Sequence, residues 1–142
     1  MSGKHSGGRV LSWGHFENSV GPVILLLSNA LAARSIAALA PFGLPAGSLS
    51  VLTLIQANPE CSQTDIAVTT GMSKSGVVGL IDELERRGFA ARSPSPEDRR
   101  RNRLTLTPDG ETQLRTMVAA QLAEEDPIQR QFSCDELDTL IQ

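Results

Sequence analysis

Most of this chain is patterned for helix. Val20, Ile24, Leu27 and Leu31 line one side of a long segment spanning about residues 22–40. Leu25, Leu26 and Ala30 widen that stripe well beyond a single face. Asn18 or Ser19 is placed to cap the segment, and Pro22 suits its first turn. A helix apolar on so many sides needs cover, and a partner subunit is the natural candidate. Pro41, Gly43 and Pro45 break it, after which Leu49, Leu52 and Ile55 repeat at helical spacing as far as Asn58-Pro59.

The central pattern is denser. Ser62-Gln63-Thr64-Asp65 reads as a capping box with Asp65 in the reach-back position. Gly71 ends the short helix that follows, and Ser73 caps another. Val77, Leu80, Ile81 and Leu84 give this next helix a clean inward stripe, and Arg86, Arg87 and Gly88 close it. Two short strands are predicted at residues 89–93 and 103–106, on either side of the polar stretch SPSPEDRRRN. Thr107-Pro108 opens a further helix with Leu114, Met117, Val118 and Leu122 as its stripe, and Pro127 is expected to end it. Ser133 and Glu136 form a second capping box before a short last helix, with Phe132 placed to staple onto Leu137. Residues 1–12 carry no such pattern and read as disordered.

At 142 residues, 40% hydrophobic and 20% charged, the chain suits one soluble domain. Its net charge of −3 is unevenly spread. Residues 72–108 hold eight basic and five acidic side chains, whereas residues 109–142 hold two basic and eight acidic. A polyanion partner needs only a local basic surface, so the balance does not exclude one. The longest uninterrupted apolar run, residues 23–27, is too short for a bilayer, and the polar, glycine-rich start is no secretory leader. The expected location is the cytoplasm, with no membrane partner.

Cys61 and Cys134 form no CxxC, and both histidines fall in the first 15 residues, so neither a metal site nor a cofactor is indicated. No nucleophile, base and orienting group can be assembled, so the chain is not expected to be an enzyme.

What remains is a helix-turn-helix followed by an arginine-tipped hairpin. The second helix is shaped for a DNA major groove, and the arm for adjacent backbone or minor groove. The exposed start of that helix offers Ser73, Lys74, Ser75, Gly76 and Val78, with a lysine for phosphate or guanine and hydroxyls for phosphate or bases. Ser62 and Gln63, opening the preceding helix, join these candidate contacts. In the arm, Arg99, Arg100, Arg101 and Arg103 crowd together, offset only in part by Glu97 and Asp98, and a narrow minor groove is the expected acceptor.

From Leu44 to Gly110 the chain resembles the MarR family of bacterial transcription regulators. The resemblance rests on SQTDIA, GMSKSGV, LIDELERRGFAAR and PEDRRRNRLTLTPDG. It implies a mainly α fold with a small β-wing, a winged helix-turn-helix at 44–110 flanked by dimerisation helices at 13–43 and 111–142. It further implies a homodimer on double-stranded DNA at a pseudo-palindromic operator, repressing until a small aromatic or acidic effector binds. By position, Ser73, Lys74, Ser75, Gly76 and Val78 match recognition-helix contacts, and Asp98 and Arg100 match a wing pair in which the acid orients the arginine. Gly76, Val78 and Gly79 stand where family members commonly carry Thr or Arg, leaving backbone contact and shape readout as the expected modes. Trp13, His15, Phe16 and Arg34 are the candidates for a ligand site. The competing reading is a winged helix used for protein contact, no longer reading DNA.

Overall fold

The computed structural model describes residues 11–16, 19–94 and 102–141. The disorder expected for residues 1–12 falls almost wholly outside them, as do Asp98, Arg99, Arg100 and Arg101. The chain divides into two compact units, Met1–Arg34 and Ser35–Gln142. The first contains a 3-10 turn, Gly14–Phe16, and the opening turns of helix α1, Val20–Leu39. No residue of α1 is buried. Val20–Phe42 is 23 residues long and apolar enough to cross a bilayer by length and composition. Counting only uninterrupted apolar runs missed this, because Ser28, Asn29, Arg34 and Ser35 break the run without making the segment polar.

The second unit is built on α2 (Ser48–Ala57), α3 (Gln63–Thr70), α4 (Lys74–Arg86), a hairpin of β1 (Ala90–Pro94) and β2 (Asn102–Leu106), α5 (Pro108–Gln129) and α6 (Cys134–Ile141). Its core joins Val51, Leu52 and Ile55 of α2 to Ile66 of α3 and Val77, Ile81 and Leu84 of α4. Leu104 of β2 and Leu114 and Met117 of α5 close it. The stripe read from spacing on α4 is buried throughout, whereas that of α5 is buried only at Leu114 and Met117, with Leu122 exposed.

Turn chemistry sets the angles between these helices. Ser62 and Asp65 cap α3 reciprocally: the Asp65 amide donates to Ser62 Oγ at 3.3 Å, and the Ser62 amide to Asp65 Oδ2 at 2.8 Å. Gly71 ends α3 at φ 70°, a left-handed conformation that glycine adopts without strain, and the chain turns directly into α4. The start of α5 lies so close to the chain at Phe89 that a Cβ on Gly110 would sit 1.8 Å from the Phe89 carbonyl oxygen. Thr107 secures this junction, accepting from the Gly110 amide at 3.0 Å and donating to the Gly88 carbonyl at 2.5 Å.

β1 and β2 pair antiparallel, with Ala90 opposite Leu106, Arg92 opposite Leu104 and Pro94 opposite Asn102. The other edge of β2 is also used. The Leu104 amide donates to the Cys61 carbonyl at 3.1 Å, and the Glu60 amide to the Leu104 carbonyl at 3.2 Å. Glu60 adopts φ 71°, the one non-glycine residue with positive φ among those described.

Two expectations need correction. Pro127 does not end α5, which continues to Gln129. With only two residues of α5 beyond it, Pro127 lies in the last turn, so the break it introduces falls where the helix stops in any case. The first strand runs one residue later than expected, Ala90–Pro94, and the second begins one residue earlier, at Asn102, and ends at Leu106 as expected.

Candidate nucleic-acid interface

Ser73 caps α4, its Oγ accepting from the Gly76 amide at 3.1 Å and lying 3.2 Å from the Ser75 hydroxyl. Lys74, Ser75, Gly76, Val78 and Gly79 are all exposed, opposite the buried Val77 and Ile81. Lys74 forms no ion pair among the described residues. The first turns of α4 thus offer one free ammonium, two hydroxyls, unpaired helix N–H groups and an open apolar step. That set suits a phosphate-lined groove.

Ser62 and Gln63 are engaged elsewhere. The Ser62 hydroxyl donates to Asp65 Oδ2 at 2.7 Å within its cap. With its carboxamide turned so that the oxygen faces Arg92, the orientation its neighbours require, Gln63 accepts from Arg92 Nε and Nη2 at 2.7 and 3.0 Å.

Arg92 is the residue that sequence reasoning passed over. Its guanidinium pairs with Asp82 of α4 at 2.7 Å and with Glu85, whose other oxygen accepts the Arg92 amide at 2.9 Å. One side chain therefore ties β1 to α4 and to the start of α3. Strand alternation held the signal: Arg92 shares a side with buried Ala90, so it points inward toward whatever the adjacent helix supplies. Arg103, counted among the crowded cations of the arm, is instead a second clamp, its guanidinium on Glu60 at 2.5 Å.

At the far end of α4, Glu83 accepts from Arg86 and Arg87 at 2.6 and 2.7 Å, and these hydrogen bonds hold its carboxyl down at about 2. Arg87 also donates to the Gly43 carbonyl at 2.5 Å, linking α4 to the turn before α2. Cys61 is half-buried, and desolvation with the nearby Asp65 charge pushes its thiol pKa up. That opposes formation of a reactive thiolate.

Within the second unit a cavity of about 210 Å³ lies between the end of α1, the start of α2 and α5, lined by Ile36, Leu39, Leu44, Pro45, Leu49 and Met117 among others. The candidate ligand residues His15, Phe16 and Arg34 belong to the other unit, where all three are exposed, as is Trp13.

The sequence pattern of the MarR family matches residues 42–101. The transcriptional repressor CouR, solved bound to a 23-mer DNA duplex, is 31% identical, with a TM-score of 0.79 over 94% of both chains. The chain belongs to the MarR family. A second MarR-type structure, CouR from Rhodococcus jostii RHA1 bound to p-coumaroyl-CoA, is 28% identical with a TM-score of 0.80 over 88% of each chain. Among curated relatives, a Thauera aromatica protein named for transcriptional regulation of the hcr operon is 33% identical over 99 residues, 70% of this chain. The match spans 60% of that relative's length. As in a MarR winged helix, α3 and α4 form the helix-turn-helix and the β1–β2 hairpin the wing.

Proposed function

We propose that this chain is a DNA-binding transcriptional regulator that acts as a homodimer and represses until a small aromatic or acidic effector binds. The carrying observation is the outward start of α4, where exposed Lys74 stands beside hydroxyls and free helix N–H groups while every large hydrophobic side chain of the helix but Val78 packs inward. Ser73, Lys74, Ser75, Gly76 and Val78 are its major-groove contacts. Arg99, Arg100 and Arg101, with Asp98 orienting Arg100, are its wing contacts.

The homodimer reading rests on α1, where Val20, Val23, Ile24, Leu25 and Leu26 are each more than half exposed in a single chain. Covering such a surface with a second copy suits the area a stable interface requires. A bilayer is the other possible cover, and the cytoplasmic reading requires that the chain stay dimeric without detergent. The effector reading draws on relatives solved with p-coumaroyl-CoA and with 6-hydroxynicotinic acid. In this chain the apolar cavity beside Met117 is the proposed seat. His15, Phe16 and Arg34 stay separate candidate ligand contacts of the first unit.

Binding of a fluorescent duplex pool across a salt series tests the DNA reading. Affinity should fall steeply with salt, and Lys74→Ala should lower the log–log slope by about 1. Binding that ignores salt, or no retention of any duplex at low salt, would support a protein-contact role. The feature favouring that second reading is the glycine-rich face of α4, which carries few groups able to hydrogen-bond a base.

A further inference from the structure

The outward stripe of α4 is Ser75, Val78, Gly79 and Asp82, at i, i+3, i+4 and i+7. Val78, 37% exposed, is the only large hydrophobic side chain on that helix that reaches solvent to this degree among the described residues. Nothing in the fold explains its neighbours. A Cβ on Gly79 would meet no atom within 4 Å, and one on Gly76 would meet only the Ser73 hydroxyl, at 3.1 Å. Gly79 places no side chain beside the partly exposed Val78 isopropyl group. Asp82, next along the stripe, is neutralised by Arg92 at 2.7 Å and does not set a free negative charge beside it.

An isopropyl group entering a major groove meets base edges that are almost all polar. The exception in ordinary DNA is the C5-methyl of thymine. Placed against that methyl, the side chain buries apolar surface; placed elsewhere, it covers donors and acceptors without replacing their hydrogen bonds. We propose that Val78 is a specificity-determining residue that selects a base bearing a C5-methyl group, with Gly79 supplying the clearance that lets α4 approach it. This rests on the DNA-binding reading above. It replaces the lost hydrogen-bond readout at these positions with apolar readout, one thymine per half-site. 5-Methylcytosine carries the same methyl and would present the same contact.

The test uses the full chain and duplexes it enriches from a random pool. Each thymine is replaced singly by deoxyuridine, which removes the methyl and nothing else, and affinity is measured by fluorescence anisotropy. The expected result is one thymine per half-site whose replacement weakens wild-type binding about fourfold, the worth of one buried methyl. Val78→Ala should bind the thymine and uracil duplexes equally at that position, and Val78→Thr, which keeps one methyl, should fall between. Uracil tolerated at every position by the wild type, or the same sensitivity persisting in Val78→Ala, would overturn the proposal. Failure to enrich any duplex at low salt would instead remove the DNA reading itself, and this inference with it.

Discussion

Arg92 and Asp82 meet at 2.7 Å across the seam between the wing and the recognition helix. The contact ties β1 to α4, while buried Leu104 and the hydrogen bonds to Glu60 and Cys61 hold β2. With Glu85 and Gln63 completing the shell around one guanidinium, α3, α4 and β1 are locked by a planar fork that lysine cannot reproduce. The carboxylates are partly exposed, so the pairs themselves are worth about 1 kcal/mol or less to stability. Arg92→Ala should therefore lower Tm by only a few degrees. On the proposed DNA-binding reading, affinity should fall at least tenfold, because a wing free to tilt would lose its proposed contacts together. The salt slope distinguishes this from loss of one direct contact: it should drop by more than about 1. Arg92→Lys should rescue stability more than binding.

The second clamp predicts a stability effect. Arg103 holds Glu60, whose backbone sits at φ 71° and hydrogen-bonds the β2 edge. Holding a non-glycine residue there costs of order 1 kcal/mol, offset by those hydrogen bonds and the ion pair. Glu60→Gly relieves the conformation while removing the ion pair, so Tm should change little. Glu60→Ala removes the pair and keeps the strain, and should lower Tm measurably in a thermal melt.

Much of this arrangement was legible in the residues. Val77, Leu80, Ile81 and Leu84 gave the buried face of α4 by spacing alone, and both capping boxes formed between the residues that signalled them. The clamps were harder to see. Arg92 and Arg103 look like members of a cationic arm until the hairpin register is known, because their partners lie on other elements. The Gln63 contact was hidden for the same reason, since Arg92 lies on β1, whereas the Ser62–Asp65 pair was already written in the capping box. The membrane-length character of α1 was masked by isolated polar residues, and the run through Pro127 by reading that proline as a stop.

The approach of α5 to Phe89 sets a hard steric limit. A methyl group at Gly110 would lie 1.8 Å from the carbonyl oxygen of Phe89, far inside contact distance, and backbone rather than a flexible side chain is in the way. Gly110→Ala should cost at least about 2 kcal/mol, at the upper end of overpacking effects. Chemical denaturation should show a lower midpoint with an unchanged m-value if the fold yields locally.

Glu83 makes the end of α4 sensitive to acid. Its carboxyl, held at about 2 by the hydrogen bonds from Arg86 and Arg87 instead of at the ordinary 4.5, is more easily ionised in the folded chain. A carboxylate depressed on folding stabilises the native state above its unfolded value, and that contribution disappears as pH falls from 4.5 toward 2. Protonation would also loosen Arg87, which bridges to the Gly43 carbonyl. The Tm gap between wild type and Glu83→Gln should be constant near neutrality and close across that window. A gap that persists at the acid end would assign the effect to packing.

Gly79 sets stability against readout. It lies in the middle of an exposed helical face with open space where a Cβ would be, so alanine fits without a clash. Replacing a mid-helix glycine should stabilise the helix by about 1 kcal/mol, raising Tm by several degrees. If the bare backbone provides groove clearance for Val78, the same Gly79→Ala chain should bind its preferred duplex more weakly despite being more stable. Thermal melting and anisotropy on one preparation decide the matter. A chain that gains stability and keeps full affinity would show that α4 makes no use of the missing side chain, and the clearance argument for Val78 would fail.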